Sequence, residues 1–234
     1  MKKLMCYCLV LFACGLGYTQ SLIGAWEASM EKDGRTLRNV VIFSASHQVA
    51  TSYDAETGAF VSTNGGSWFL KEHMLTETIE FDFKKPERVG TTNTFEIVLT
   101  ENELKLKGAD TVWKRLDDGN PGDLDGAWLI SGRMRDGEIQ KRDTNRPRKT
   151  MKILSGTRFQ WIAYNTKTKE FMGTGGGTYT TADGKYTEHI EFFSRDNARV
   201  GASLGFNYEL KDGDWHHSGL SSKGKPIYEV WSLR

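Results

Sequence analysis

The chain uses one segment twice. Leu22-Ile-Gly24-Ala-Trp26 returns as Leu124-Asp-Gly126-Ala-Trp128, and residues 42–90 align without a gap on 153–201 at an offset of 111. Sixteen of those 49 positions are identical, among them Tyr53/Tyr164, Phe60/Phe171, Gly65-Gly66/Gly176-Gly177, Glu77/Glu188 and Ile79-Glu80-Phe81/Ile190-Glu191-Phe192. Each copy ends alike, in Val112-Trp113-Lys-Arg115 and Val230-Trp231-Ser-Leu-Arg234. A repeat of this length is a domain, so the chain must fold as two similar units. The starting offset of 102 grows to 111, so the second copy carries nine extra residues near 141–150, a basic stretch with Arg142, Arg146, Arg148 and Lys149. The expected units are residues 20–116 and 124–234, joined by the turn-rich linker 117–123.

Before the first copy, Lys2 and Lys3 precede an apolar run at residues 4–13 that is too short to span a bilayer. Residues 1–19 read as a secretory signal peptide, which predicts a secreted or periplasmic protein. Residues 11–14 form a poor lipobox, so a lipoprotein anchored at Cys14 is the variant of that reading. All three cysteines (Cys6, Cys8, Cys14) fall in this leader, so the two units need packed cores rather than disulfides. The remaining chain has no excess of positive charge and no second long apolar stretch, which argues against nucleic-acid binding and against a membrane span. Residues 22–116 carry 11 basic and 14 acidic side chains, and residues 124–234 carry 18 and 13. The net charges are therefore opposite, and two independently solvated surfaces are expected rather than electrostatic docking.

The pattern within each copy is strand and tight turn. Asp33-Gly34, Asp136-Gly137, Asp183-Gly184 and Asp212-Gly213 are hairpin pairs, because such turns need positive φ. Strands are predicted at 158–164, 186–193, 206–210 and 227–233, and no window has a sustained helical period. The fold class is all-β: two tandem up-and-down antiparallel barrels of about eight strands, since closure removes exposed edges.

A Gly-x-Trp on the first strand with Trp and Arg ending the last resembles the calycin superfamily of lipocalins, fatty-acid-binding proteins and avidins. The resemblance implies that the first-strand Trp closes the barrel floor under a terminal Arg, pairing Trp26 with Arg115 and Trp128 with Arg234. The second copy is more closely similar to secreted bacterial lipocalin-like domains of unknown function. The matching stretches are residues 152–155, 159–164, 175–179, 186–192, 215–219 and 228–231. That likeness implies one internal cavity per barrel and no particular ligand.

Strand alternation sorts the residues that could act in such a cavity. Tyr186, Glu188, Ile190 and Phe192 share one face, and Ile227, Glu229, Trp231 and Leu233 share another, so Glu188 and Glu229 enter the barrel if the apolar residues do. Trp215 and His217 join them from their own strand. Glu188, His217 and Glu229 are the candidates for acid–base catalysis, with a structural polar cluster as the bland alternative. The candidate ligand-binding set is Arg148, Phe159, Trp161, Tyr164, Tyr179, Glu188, His189, Trp215, His217 and Glu229. No metal site or cofactor is expected, because adjacent His216 and His217 point to opposite faces. Gly173–Gly177 lacks the ending of a phosphate loop and reads as a strand bulge.

Residues at cavity positions differ between copies. Trp161 stands opposite Ala50, His189 opposite Thr78, Tyr179 opposite Trp68 and Glu229 opposite Thr111. The second copy is thus the expected functional one. Its expected role is to bind an apolar or amphipathic small molecule, with an anionic end near the Arg-rich loop as one version. A hydrolase or isomerase using the Glu/Glu/His cluster, and a structural envelope protein with filled barrels, are the alternatives.

Overall fold

The computed structural model describes residues 21–120, 122–221 and 224–234. The expected leader, with the three cysteines and the expected cleavage and lipidation sites, lies outside the described residues. The first unit is a closed antiparallel barrel of β1 (Gly24–Lys32), β2 (Arg35–Phe43), β3 (His47–Asp54), β4 (Phe60–Lys71), β5 (Met74–Asp82), β6 (Thr92–Leu99), β7 (Glu103–Leu106) and β8 (Val112–Asp117). The second contains β9 (Gly126–Arg135), β10 (Glu138–Lys141), β11 (Arg148–Leu154), β12 (Arg158–Asn165), β13 (Glu170–Ala182), β14 (Lys185–Phe193), β15 (Ser203–Lys211), β16 (Asp214–Leu220) and β17 (Pro226–Leu233). β9 pairs with both β11 and β17, which closes eight strands, and β10 extends from the far end of β9. Among the described residues no helix is long and apolar enough to cross a membrane.

The four Asp-Gly pairs make the hairpins as expected, each with both residues at positive φ, from 50° to 85°. The Gly-Gly pairs form bulges: the register shifts between Gly65 and Gly66 and between Gly176 and Gly177. A Cβ on Gly66 would overlap the Thr78 carbonyl oxygen, and one on Gly177 the His189 carbonyl oxygen. Backbone cannot yield to that overlap, so Gly177→Ala is expected to destabilise by about 2 kcal/mol or more, read as a lowered urea midpoint with unchanged m.

These bulges correct the expected strand faces. Gly177 faces Ile190 and Gly176 faces Phe192, leaving Glu191 as the extra residue. Alternation therefore inverts, so Ile190 stays inside the second barrel while Phe192 leaves it. The same happens in the first barrel at Ile79, Glu80 and Phe81. Each barrel has its own interior: Leu22, Trp26, Val41, Phe43, Leu75, Ile97 and Leu104 in the first, and Trp128, Phe159, Tyr186, Phe206, Trp215 and Trp231 among others in the second.

A third apolar cluster belongs to both barrels, with Val40, Ile42, Tyr53 and Phe81 packed against Met151, Ile153, Tyr164 and Phe192. The two halves are therefore docked, against the expectation of independent surfaces. The docking is nearly two-fold, since partners related by the offset of 111 exchange places. Tyr53 stacks on Phe192 at 4.9 Å, and Tyr164 meets Phe81 at 4.8 Å. Phe60 and Phe171, equivalent to each other, lie parallel at 6.0 Å. Both bulged glutamates point into this seam. Tyr53 donates its hydroxyl to Glu191 at 2.7 Å, and Tyr164 donates to Glu80 at 2.5 Å. Arg38 and Arg158 hold Glu191, while Arg234 grips Glu80 through two nitrogens at 2.7 and 2.8 Å.

That grip changes one of the expected Trp–Arg pairs. The Arg115 guanidinium lies 3.9 Å from the Trp26 ring centroid, as the resemblance implies. Arg234 instead crosses to Glu80, because a bidentate, partly desolvated carboxylate outweighs a ring face. Asp117, expected in the linker, ends β8 instead, and its carboxylate accepts hydrogen bonds from Ser155, Gly156 and Thr157, fixing the joint against the turn between β11 and β12.

Candidate functional site

The second barrel has an open cavity of about 460 Å³. Its walls combine aromatics (Trp161, Phe193, Phe206, Trp231) with Lys152, Glu188, His217 and Glu229. β11 supplies Lys152, β14 Glu188, β16 His217 and β17 Glu229, all inward by alternation. The apolar residues beside each strand position force this orientation: Leu154, Ile190, Trp215 and Trp231 share those inward faces and are buried.

Lys152 and Glu188 form a buried ion pair at 2.6 Å, and Tyr186 donates its hydroxyl to the same carboxylate oxygen at 3.0 Å. The Lys152 ammonium also sits 5.0–5.7 Å from the centroids of Tyr186, Phe206, Trp215 and Trp231. The pair is thus neutralised internally and solvated by rings in place of water. Burial, then the charge on Glu188, pushes the Tyr186 hydroxyl well above its ordinary value, so it remains a donor.

His217 is 2% exposed, and its Nδ1 stands 3.6 Å from Glu229, just beyond hydrogen-bond length. Neither imidazole nitrogen has a hydrogen-bond partner, nor do the indole nitrogens of Trp215 and Trp231. Leaving buried polar atoms unmet costs about 1–3 kcal/mol each, so these four nitrogens are unused hydrogen-bonding capacity beside the cavity. Glu229 is held on its outer side by Arg133 at 3.1 Å. Burial pushes the Glu229 carboxyl up, but His217, Arg133 and Lys152 outweigh it and hold the group below its ordinary value.

Burial, then the Lys152 charge, holds the His217 imidazole below its ordinary value. Its folded pKa therefore lies below the unfolded value of about 6.5. The stability this contributes is complete above that pH and is lost as pH falls below it, because the unfolded chain takes the proton first. Between pH 7 and 5 the melting temperature of the wild type is expected to fall more steeply than that of a His217→Asn variant.

The first barrel shows how particular this arrangement is. Trp26 faces Val41 as Trp128 faces Lys152. Leu104 faces Trp113 as Trp215 faces Trp231, which puts Leu106 in the place of His217 and Thr111 in that of Glu229. Ala50 stands for Trp161, and only the glutamate persists, as Glu77. There, burial raises the Glu77 carboxyl above its ordinary value, with Arg88 opposing.

Of the sequence candidates, Trp161, Glu188, His217 and Glu229 line the cavity, and Trp215 packs on Lys152 behind it. Phe159 and Tyr179 are interior packing, Tyr179 donating its hydroxyl to the Ser155 carbonyl at 2.5 Å. Tyr164 lies outside the barrel in the seam, and His189 on the outer face beside Ser203. Both have side-chain directions opposite to the inward residues of their strands, which alternation alone dictates. Arg148 lines a neighbouring recess rather than the cavity. Sequence reading missed Lys152 and Arg133. The signal for Lys152 was a lysine in a buried run, 151–154, where the first copy has only apolar residues. Among the described residues no three His, Cys, Asp or Glu side chains converge to hold a metal.

No curated protein matches the chain. Residues 123–232, spanning the second barrel, are similar to one family, matching the model described as a domain of unknown function (DUF4488).

Proposed function

We propose that this is a secreted, lipocalin-like binding protein whose second barrel holds a small apolar or amphipathic molecule. The observation that carries this reading is the contrast between two barrels on one scaffold. The first gathers an apolar cluster around Trp26 with Glu77 as the glutamate it keeps, while the second has a 460 Å³ space bordered by rings and by hydrogen-bonding nitrogens without partners. That volume falls within the range of small-molecule sites, about 300–1,000 Å³. The apolar part of the ligand packs on Trp161, Phe193 and Phe206. A neutral acceptor group at the deep end meets the Trp231 N–H and His217. The reading of that end as neutral follows from the Lys152–Glu188 pair, which already satisfies its own charge.

Acid–base chemistry by His217 and Glu229 is the second reading, supported by their proximity. It is weaker because Glu188, the third member of that set, is committed to Lys152 and Tyr186. The test of binding uses the neutral fluorophore N-phenyl-1-naphthylamine. The wild type is expected to bind one molecule per chain with enhanced emission. Leu204→Trp, which fills the cavity from β15, is expected to weaken that binding by about tenfold or more, the equivalent of one lost apolar contact set. Equal affinity in the two proteins would sink the proposal.

A further inference from the structure

The nine-residue insertion interrupts what is a single strand, β2, in the first barrel. In the first barrel β2 pairs with β1 continuously, from Lys32 opposite Arg35 to Gly24 opposite Phe43. In the second, the corresponding strand is split into β10 and β11, and β9 meets β11 only at Gly126–Leu129 and β10 only at Gly132–Arg135. The chain leaves the wall after Lys141 and returns at Arg148. This excursion opens a recess of about 500 Å³ in the side of the barrel.

Arg133, Arg135, Lys141, Arg142, Arg146 and Arg148 line the recess, and no carboxylate does. Among the described residues Arg135, Lys141, Arg142 and Arg148 form no ion pair. Of the acids nearby, Glu229 is held by Arg133, Asp143 stands 3.9 Å from Arg146, and Glu138 faces Arg135 across the β9–β10 pair. Burial and the charges on Arg148, Arg133 and Arg146 hold the Arg142 guanidinium below its ordinary value, a strain that an anion relieves. The recess and the barrel cavity are neighbours, with Arg133 and Thr150 in the walls of both.

We propose that this recess binds a phosphate-class anion forming one end of the ligand whose apolar part fills the second barrel. The proposal rests on the reading of that barrel as a binding cavity. One guanidinium fork satisfies a carboxylate, whereas six cations around one recess match the several oxygens and higher charge of a phosphate or pyrophosphate. The apolar walls beyond Arg133 then take the tail, and joining the two parts raises the affinity of each.

Three probes separate the possibilities. Inorganic pyrophosphate, titrated calorimetrically at moderate salt, reports the recess alone. It is expected to bind the wild type and to lose about tenfold or more in an Arg142→Ala/Arg146→Ala/Arg148→Ala variant. N-phenyl-1-naphthylamine reports the barrel alone and is expected to bind both proteins equally, which also shows that the variant is folded. Decyl phosphate, kept below its micelle concentration, is expected to displace the fluorophore from the wild type about tenfold better than decanol, and from the variant no better than decanol. Pyrophosphate binding that is absent, or equal in both proteins, overturns the anion site. Equal displacement by decyl phosphate and decanol in the wild type overturns the joined ligand. Failure of the fluorophore to bind the wild type, with pyrophosphate still bound, sinks the barrel reading and leaves a free-anion site.

Discussion

Replacing Glu80 with alanine is expected to lower the melting temperature by about 6–12 °C. Glu80 belongs to the first barrel, yet Arg234 and Tyr164, two of its partners, belong to the second. Its removal leaves a guanidinium only 17% exposed, and a phenol that burial pushes far above its ordinary value, without their acceptor. Breaking such a pair from one side destabilises by about 3 kcal/mol, because the surviving charge stays desolvated. At this chain size each kcal/mol moves the midpoint by about 2–4 °C. Calorimetry should also show the single transition of the docked barrels separating into two, since the seam is what couples them. An exposed pair such as Lys107–Glu96, 64% and 46% exposed, serves as control: Lys107→Ala should change stability by about 0.5 kcal/mol or less. A Glu80→Ala protein melting within 2 °C of wild type would mean, by the same scaling, that the seam contributes little to cohesion.

The importance of Glu80 was half visible in the sequence. Duplication, Asp-Gly turns and period-two patterning are local signals, and they determined the two barrels with their strands in place. The identities shared by the copies were equally visible, but a single copy gives no reason for them. Tyr53/Tyr164, Phe60/Phe171, Glu80/Glu191 and Phe81/Phe192 persist because each copy packs on the other by these residues. Tyr164, read as a ligand contact, was identical to Tyr53 in a copy otherwise stripped of cavity residues, and that identity was the available clue. The bulge was foreseen at the glycines, but its effect on the facing strand, turning Phe192 outward directly after Glu191, depends on which strand carries the extra residue. Pairwise register decides that, and a linear pattern does not contain it. The insertion was legible as basic and displaced, but its place inside a split strand follows from pairing with β9.

The cavity offers the second large effect, and it separates binding from stability. Lys152→Ala removes one member of a pair whose side chains are 6% and 5% exposed, stranding Glu188 among rings. The expected loss is about 3–5 kcal/mol. Glu188→Ala alone should cost a comparable amount, since it strands the ammonium instead. Lys152→Leu together with Glu188→Leu behaves differently, because no charge is then left to desolvate and the first barrel shows that this scaffold accepts an aliphatic residue at the lysine position, as Val41. The double variant leaves only the Tyr186 hydroxyl without its acceptor and should lose about 1–3 kcal/mol, far less than the sum of the singles, giving a large favourable coupling in the double-mutant cycle. Its cavity is purely aliphatic on that wall, so the fluorophore should bind at least as well, while a ligand with a polar group at the deep end should bind worse. Denaturant unfolding of all four proteins checks the cycle. Additive losses, with the double variant as unstable as the sum of the singles, would show that the pair's charges are solvated through the open mouth and that the deep end of the cavity is wet rather than a dry, ring-lined pocket.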